Sequence, residues 1–207
     1  MNDVLIDYLA TVIWSDKDVA NCLAKMQPPF CYGRHRGPCA SNTRQAGVLV
    51  LLHEVNDELS VTLTRRSANL QYHASQISFP GGGADPGESW QMAAVRETHE
   101  EIGIPSESIT IIAAMEPVFV YRSNNLMFPF VAMLRDDSQG ISNEGEVDST
   151  FVIKLSEIRE GLGTYSNIAY AWKPVNVPGY RVSEGVIWGA TAMVLSQLLS
   201  ILDDFTG

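Results

Sequence analysis

Long hydrophobic runs are missing from this chain, and no apolar stretch reaches the roughly 18 residues that a membrane span needs. No basic region precedes an apolar run after Met1-Asn2-Asp3-Val4, so no signal peptide is read there. A soluble, cytoplasmic protein with no membrane partner is the expectation. Positive charge is also scarce: 14 Lys and Arg stand against 24 Asp and Glu, a formal net charge of −10. Such a chain repels polyanions, which argues against nucleic acid as a partner. A small anionic substrate stays open if metal ions neutralise its site. Cysteine is sparse: Cys22, Cys31 and Cys39 are odd in number and bunched, unlike a secreted disulfide framework. The four-residue spacing of Cys31, His35 and Cys39 invites zinc. Gly33, Gly37 and Pro38 oppose a helix there and no fourth ligand is evident, so free thiols are the better reading.

Core-forming residues are plentiful. Hydrophobic residues make up 45% of 207, with four Trp, seven Tyr and seven Phe, which excludes a disordered chain. Residues 3 to 26 read as amphipathic helix, with Val4, Leu5, Tyr8, Leu9 and Val12 at helical spacing. Ser15 and Asp16 can cap a second helix carrying Val19, Cys22, Leu23 and Met26. Residues 27 to 43 are rich in Pro and Gly and read as linker or ordered loop. The Arg34-His35-Arg36 cluster there is either a solvated turn or a clamp on phosphates. The organisation expected is an N-terminal helical segment and linker over 1–43, then one domain over 44–207.

From Ala46 the pattern changes. Gly47 to Leu52 is a continuous apolar run and reads as a buried strand. Asn56-Asp57 marks a turn, and Leu59 to Leu63 a second strand. A polar loop over 66–76 leads to Ile77–Phe79 and then Pro80-Gly81-Gly82-Gly83. Helix is expected from about Ser89 to Ile102, stopped by Gly103 and Pro105. Strand-like runs recur at 109–115, 127–134 and 147–153, and Trp188 to Leu202 has helical periodicity. The class is α/β (α+β).

The helix after the glycines carries the chemistry. At about 100° per residue, Arg96, Glu97, Glu100 and Glu101 share one side, and Met92, Val95, His99 and Ile102 share the other, which reads as the core stripe. Ala93 and Ala94, at the edges of the acidic face, leave room for a ligand. Three carboxylates on adjacent turns repel one another, and a divalent cation would reverse that sign. The glycines let a ligand approach the main chain.

Together these residues resemble the Nudix hydrolase signature, Gly-x5-Glu-x7-Arg-Glu-U-x-Glu-Glu-x-Gly-U, where U is aliphatic. Here it runs Gly82, Glu88, then Arg96-Glu97-Thr98-His99-Glu100-Glu101-Ile102-Gly103-Ile104. All seven fixed positions agree, a chance event on the order of 10⁻⁹ per start position. Thr98 stands where the pattern has an aliphatic residue, at the edge of the core stripe, and a small stability cost is expected. The resemblance implies a Nudix fold, a mixed β-sheet between helices with a loop–helix–loop active site. It also implies hydrolysis of a diphosphate in a nucleoside-diphosphate-linked small molecule, with Mg²⁺ or Mn²⁺ as cofactor. On that footing Glu97, Glu101 and the Gly82 carbonyl hold metal. Glu100 is a third ligand or the base, Arg96 orients the acids, and Glu88 supports them from the helix start. Glu144 and Glu146 are either surface charges or a further ligand or base. A homodimer is left open.

The residues before the signature resemble the coenzyme A pyrophosphatase branch. Its extra motif falls on Leu63, Thr64, Arg66 and Ser67, and ends with Phe79-Pro80-Gly81-Gly82. Its second arginine falls on Gln71 and its glycine on Ser75. Phe128-Pro129-Phe130-Val131 and Val186-Ile187-Trp188-Gly189-Ala190-Thr191-Ala192 are similar too, with Trp188 and Phe130 read as core residues. Arg66, Ser67, Gln71, His73, Ser75 and Gly81 are therefore the substrate-binding candidates, and His73, Arg65 or the Arg34–Arg36 cluster could replace the charge missing at Gln71. Coenzyme A or a derivative is the first substrate expected. A dinucleotide, a nucleotide sugar or a catalytically silent binding module are the alternatives.

Overall fold

The computed structural model describes residues 3–12, 17–31, 39–67, 75–135, 147–170 and 173–205. Two helices come first, α1 (Asp3–Thr11) and α2 (Lys17–Met26). Strands β1 (Arg44–Val55) and β2 (Glu58–Arg66) follow as a hairpin. Its two loop residues, Asn56 and Asp57, both have positive φ, 52° and 63°. That is the two-residue turn whose twist matches paired strands, and Asn and Asp tolerate its left-handed backbone. Short strands β3 (Ile77–Ser78) and β4 (Gly81–Gly82) lead into α3 (Trp90–Ile102). Next come β5 (Ile109–Ala114), β6 (Val118–Val120), β7 (Asn125–Leu134), β8 (Val147–Lys154) and α4 (Leu155–Glu160). The chain closes with β9 (Leu162–Tyr170), β10 (Lys173–Val182), β11 (Gly185–Trp188) and α5 (Ala190–Asp203).

Eight strands form one mixed sheet with spine β3-β2-β1-β7-β5, in which β1 and β7 run parallel. β9, β10 and β11 form a second, antiparallel sheet. The sequence pattern gave no sign of the second sheet. Pro174 and Pro178 interrupt β10, and glycines and polar residues dilute β9.

The apolar run in β1 is continuous because both faces are covered. Val48, Val50 and Leu52 enter a large core with Leu5, Leu9 and Leu23 of the N-terminal helices and with α5. Leu49 and Leu51 point the other way, into a smaller core under α3 with Ala94, Ile102, Ala132 and Ile109. The mixed sheet thus lies between helices, as expected. α5 fills the middle of the large core, with Thr191 through Leu199 all buried. Among the described residues no helix is long and apolar enough to cross a membrane.

Candidate active site

The loop–helix–loop is set by local rules. Ser89 caps α3 by accepting the Met92 N–H at 3.2 Å. Gly103 ends it in the left-handed conformation, φ 72°, and its N–H bonds the His99 carbonyl. A side chain on Gly47 would place Cβ 2.0 Å from the Trp90 carbonyl oxygen. Only glycine therefore lets the start of α3 sit this close to β1. Trp90 also stacks flat on Phe128 of β7, with centroids 5.4 Å apart.

The face that α3 buries differs from the expected one. Ala93, Ala94, Thr98, Glu101 and Ile102 are buried. Met92 is 62% exposed and His99 is exposed. The wheel placed Met92 and His99 in the core because it assigned every carboxylate to solvent. Glu97 and Glu101 instead face the sheet edge at β4, which turns the helix toward its acidic side. Ala93 and Ala94 serve close packing: the Ala94 methyl lies 3.3 Å from where a Gly47 side chain would begin. Thr98 is fully buried with its hydroxyl satisfied, donating to the Ala94 carbonyl at 2.7 Å.

The carboxylates gather around Arg96. Its Nε and Nη2 donate to the two oxygens of Glu88 at 3.1 and 3.0 Å, a bidentate pair. Nη1 donates to Glu97 at 2.9 Å and to Glu100 at 3.1 Å, and Nη2 also reaches the Gly83 carbonyl at 2.9 Å. The expectation of three mutually repelling acids is corrected here, because one guanidinium bridges two of them, Glu97 and Glu100, and Glu101 is bonded elsewhere. Glu88 receives a further hydrogen bond from the Asp85 N–H at 2.9 Å. Together, chiefly the Arg96 hydrogen bonds hold its carboxyl below the usual glutamate range, and the Arg96 pKa is raised in return.

Glu97, besides its bond to Arg96, and Glu101 face the glycine strand. A side chain at Gly82 would begin 2.4 Å from the Glu97 carboxyl carbon. Glu101 is only 5% exposed and accepts the Gly81 N–H at 3.1 Å. Two carboxylates one turn apart therefore press against the Gly81-Gly82 backbone, while Glu100 is 53% exposed at the rim. Among the described residues no three Asp, Glu, His or Cys side chains enclose a metal by themselves. The donor set still fits Mg²⁺ or Mn²⁺, hard cations that take one or two carboxylates and complete their shell with water and substrate phosphate.

Beside the glycines opens a cavity of about 500 Å³. Arg66, Gly81, Gly82 and Gly83 line it. Ser67 is buried and is not in the described lining, and Ser75 closes the end of the β2 strand with φ 59°. Arg65 is occupied elsewhere, bonding the Ser75 and Glu184 carbonyls and lying over Phe151. Gln71, His73, Arg34–Arg36, Glu144 and Glu146 lie outside the described residues. Trp188, read from sequence as core, lines the cavity with its ring edge against Phe30. Sequence reasoning missed Phe30, Arg44 and Arg122, which also line it. No local motif marks them: the pairing of β1 with β7 brings Arg44 and Arg122 there, and Phe30 comes from the short helical turn Pro29–Cys31. Cys31 at the same wall is a free thiol whose pKa burial pushes up to about 11.

A NUDIX domain model matches residues 43–172. The Nudix hydrolase NudL of Photorhabdus laumondii is 33% identical over 161 residues, covering 77% of this chain and 85% of that protein. The peroxisomal coenzyme A diphosphatase ndx-8 of Caenorhabditis elegans is 38% identical over 120 residues, covering 56% of this chain and 51% of that one. Among solved structures, the Nudix hydrolase RenU of M. smegmatis superposes with a TM-score of 0.56 at 16% identity, covering 80% of this chain and 89% of that chain. That likeness shows the fold. Signature, fold and relatives agree, and the chain belongs to the Nudix hydrolase family.

Proposed function

We propose that this chain hydrolyses the diphosphate linkage of coenzyme A or one of its derivatives, giving a phosphopantetheine compound and adenosine 3′,5′-bisphosphate. The observation that carries diphosphate hydrolysis is the pair Glu97 and Glu101 set against the Gly81-Gly82 backbone, with Arg96 fixing Glu97 from the side. The coenzyme A reading is supported by Arg66 in the cavity wall, the intact Phe79-Pro80-Gly81-Gly82 run and the relative named a coenzyme A diphosphatase.

Glu97, Glu101 and the Gly82 carbonyl are the residues that would hold Mg²⁺ or Mn²⁺. When bound, the ion polarises the diphosphate and lowers the pKa of water. Arg96 holds Glu97 and Glu100 in place, and Glu88 holds Arg96. Glu100, the most exposed of these acids, either completes the donor set or accepts the proton of the attacking water. In the reaction an oxygen–phosphorus bond forms from water, the bridging oxygen–phosphorus bond breaks, and the leaving phosphate takes the proton. The cavity beside β4 receives the rest of the substrate.

The test is product analysis by mass spectrometry against a diphosphate panel with Mg²⁺ and with Mn²⁺. The panel holds coenzyme A, an acyl derivative, a dinucleotide and a nucleotide sugar. Cleavage of coenzyme A into the two stated products is expected. Efficient cleavage of another member with coenzyme A untouched would replace the substrate and keep the chemistry. Undiminished turnover in excess chelator would remove the metal from the mechanism.

A further inference from the structure

The cavity is at odds with the charge of its chain. Acidic residues outnumber basic ones 24 to 14. Yet the described lining includes Arg44, Arg66 and Arg122 and no Asp, Glu or Lys. Two of these arginines lie at one end. Arg44 opens β1, and Arg122 sits on the turn before β7. The parallel register sets Arg44 beside Asn125, and Arg44 Nη2 donates to the Ser123 carbonyl at 2.9 Å. Arg122 is the exposed neighbour of that carbonyl.

This end is not where the diphosphate is cut. Gly82 pairs with Gly47 on β1. Arg44 lies three residues upstream, roughly 10 Å along the strand at 3.3 Å per residue. Ser123 precedes Asn125, so the Arg44 guanidinium reaches away from the glycines. A diphosphate held at Gly81-Gly82 cannot also occupy that end. The intervening wall is apolar, with Phe119, Met127 and the edge-on pair Phe30 and Trp188, whose centroids are 6.4 Å apart.

We propose that Arg44 and Arg122 form a second anion subsite, which binds a phosphomonoester that the substrate carries about 10 Å from the bond cleaved. This rests on reading the cavity as the substrate site of the diphosphate hydrolase. Arginine suits a phosphomonoester because its planar fork donates parallel hydrogen bonds to two oxygens. The apolar wall takes the part of the ligand between the two anionic groups. The subsite gives this chain positive charge on the wall built from β1 and β7, while its sequence has glutamine at position 71 in place of the resembling motif's second arginine.

Calorimetric titration without turnover tests it, using adenosine 3′,5′-bisphosphate and adenosine 5′-monophosphate, which differ by one phosphomonoester. The bisphosphate should bind on the order of tenfold more tightly, with a preference that shrinks as salt rises. Arg122→Gln and Arg44→Gln should each reduce that preference and leave monophosphate affinity as it is. Because Arg44 also holds the Ser123 carbonyl, exposed Arg122 is the decisive position, and Arg122→Lys, which keeps the charge, should retain more of the preference than Arg122→Gln. Equal affinity for the two ligands, or a preference that survives Arg122→Gln, overturns the subsite. An intact binding preference with no diphosphate turned over would instead overturn the hydrolase reading and not the subsite.

Discussion

One methyl group placed at two glycines should separate fold from chemistry. In Gly82→Ala the new Cβ meets the Glu97 carboxyl at 2.4 to 2.8 Å, where ordinary contact begins near 3.4 Å. The obstacle is the far end of a flexible side chain, so the carboxylate retreats by about 1 Å and the backbone stays. Gly82 is not among the positive-φ residues, so alanine fits its backbone. Retreat breaks the 2.9 Å bond from Arg96 and moves a proposed metal ligand. A displacement of that size can cost about 10²-fold in rate. In Gly47→Ala the new atom meets the Trp90 main-chain oxygen at 2.0 Å, and the helix itself must move. Overpacking of this kind costs about 1–3 kcal/mol or more, which for a chain of this length is a fall of about 2–12 °C in Tm. Steady-state kinetics and thermal melts on both variants check the contrast. Near-wild-type turnover in Gly82→Ala, or a larger Tm loss there than in Gly47→Ala, would refute the assignment of Glu97 against Gly82.

Four further outcomes are expected. Mg²⁺ or Mn²⁺ should raise Tm by mass action, and the rise should shrink in Glu97→Gln and Glu101→Gln; an unchanged rise in both would place the metal elsewhere. Glu100→Gln should keep the wild-type Tm and lose about 10²–10⁴-fold in kcat if Glu100 is the base. Ser75→Gly should be stabilising: relief of a left-handed φ of 59°, worth about 1–2 kcal/mol, exceeds the roughly 0.5–1 kcal/mol entropic cost of glycine. A Tm rise of about 1–4 °C is the readout. Finally, the Glu88 carboxyl is held down, chiefly by Arg96. Its contribution to stability is therefore complete above the ordinary glutamate pKa of about 4.3 and disappears as pH falls through the lowered value. The Tm gap between wild type and Glu88→Gln should be flat near neutrality and close only in acid; a gap that closes already at pH 6 contradicts the pairing.

The sequence alone determined whatever depends on neighbours along the chain. Periodicity marked α3, the Asn56-Asp57 hairpin and the doubly buried β1. The spacing from Gly82 through Glu101 to Gly103 identified the signature, because one helix turn and one capped loop carry all of it. Tertiary structure decided the rest. Which side of α3 is buried follows from how closely Gly47 lets it approach β1, and this turned Glu97 and Glu101 inward and Met92 and His99 outward. A helical wheel ranks faces by polarity and cannot see that a buried face holds carboxylates against backbone. Bonding of three acids to Arg96 rests on side-chain rotamers fixed by Gly83 and Glu88. Strands β9 and β10 form despite prolines and glycines because they pair with each other and β10 packs against α4 and α2. The basic end of the cavity was invisible for the same reason. Arg44 and Arg122 are distant in sequence and unremarkable in context, and only the parallel pairing of β1 with β7 brings them to one wall.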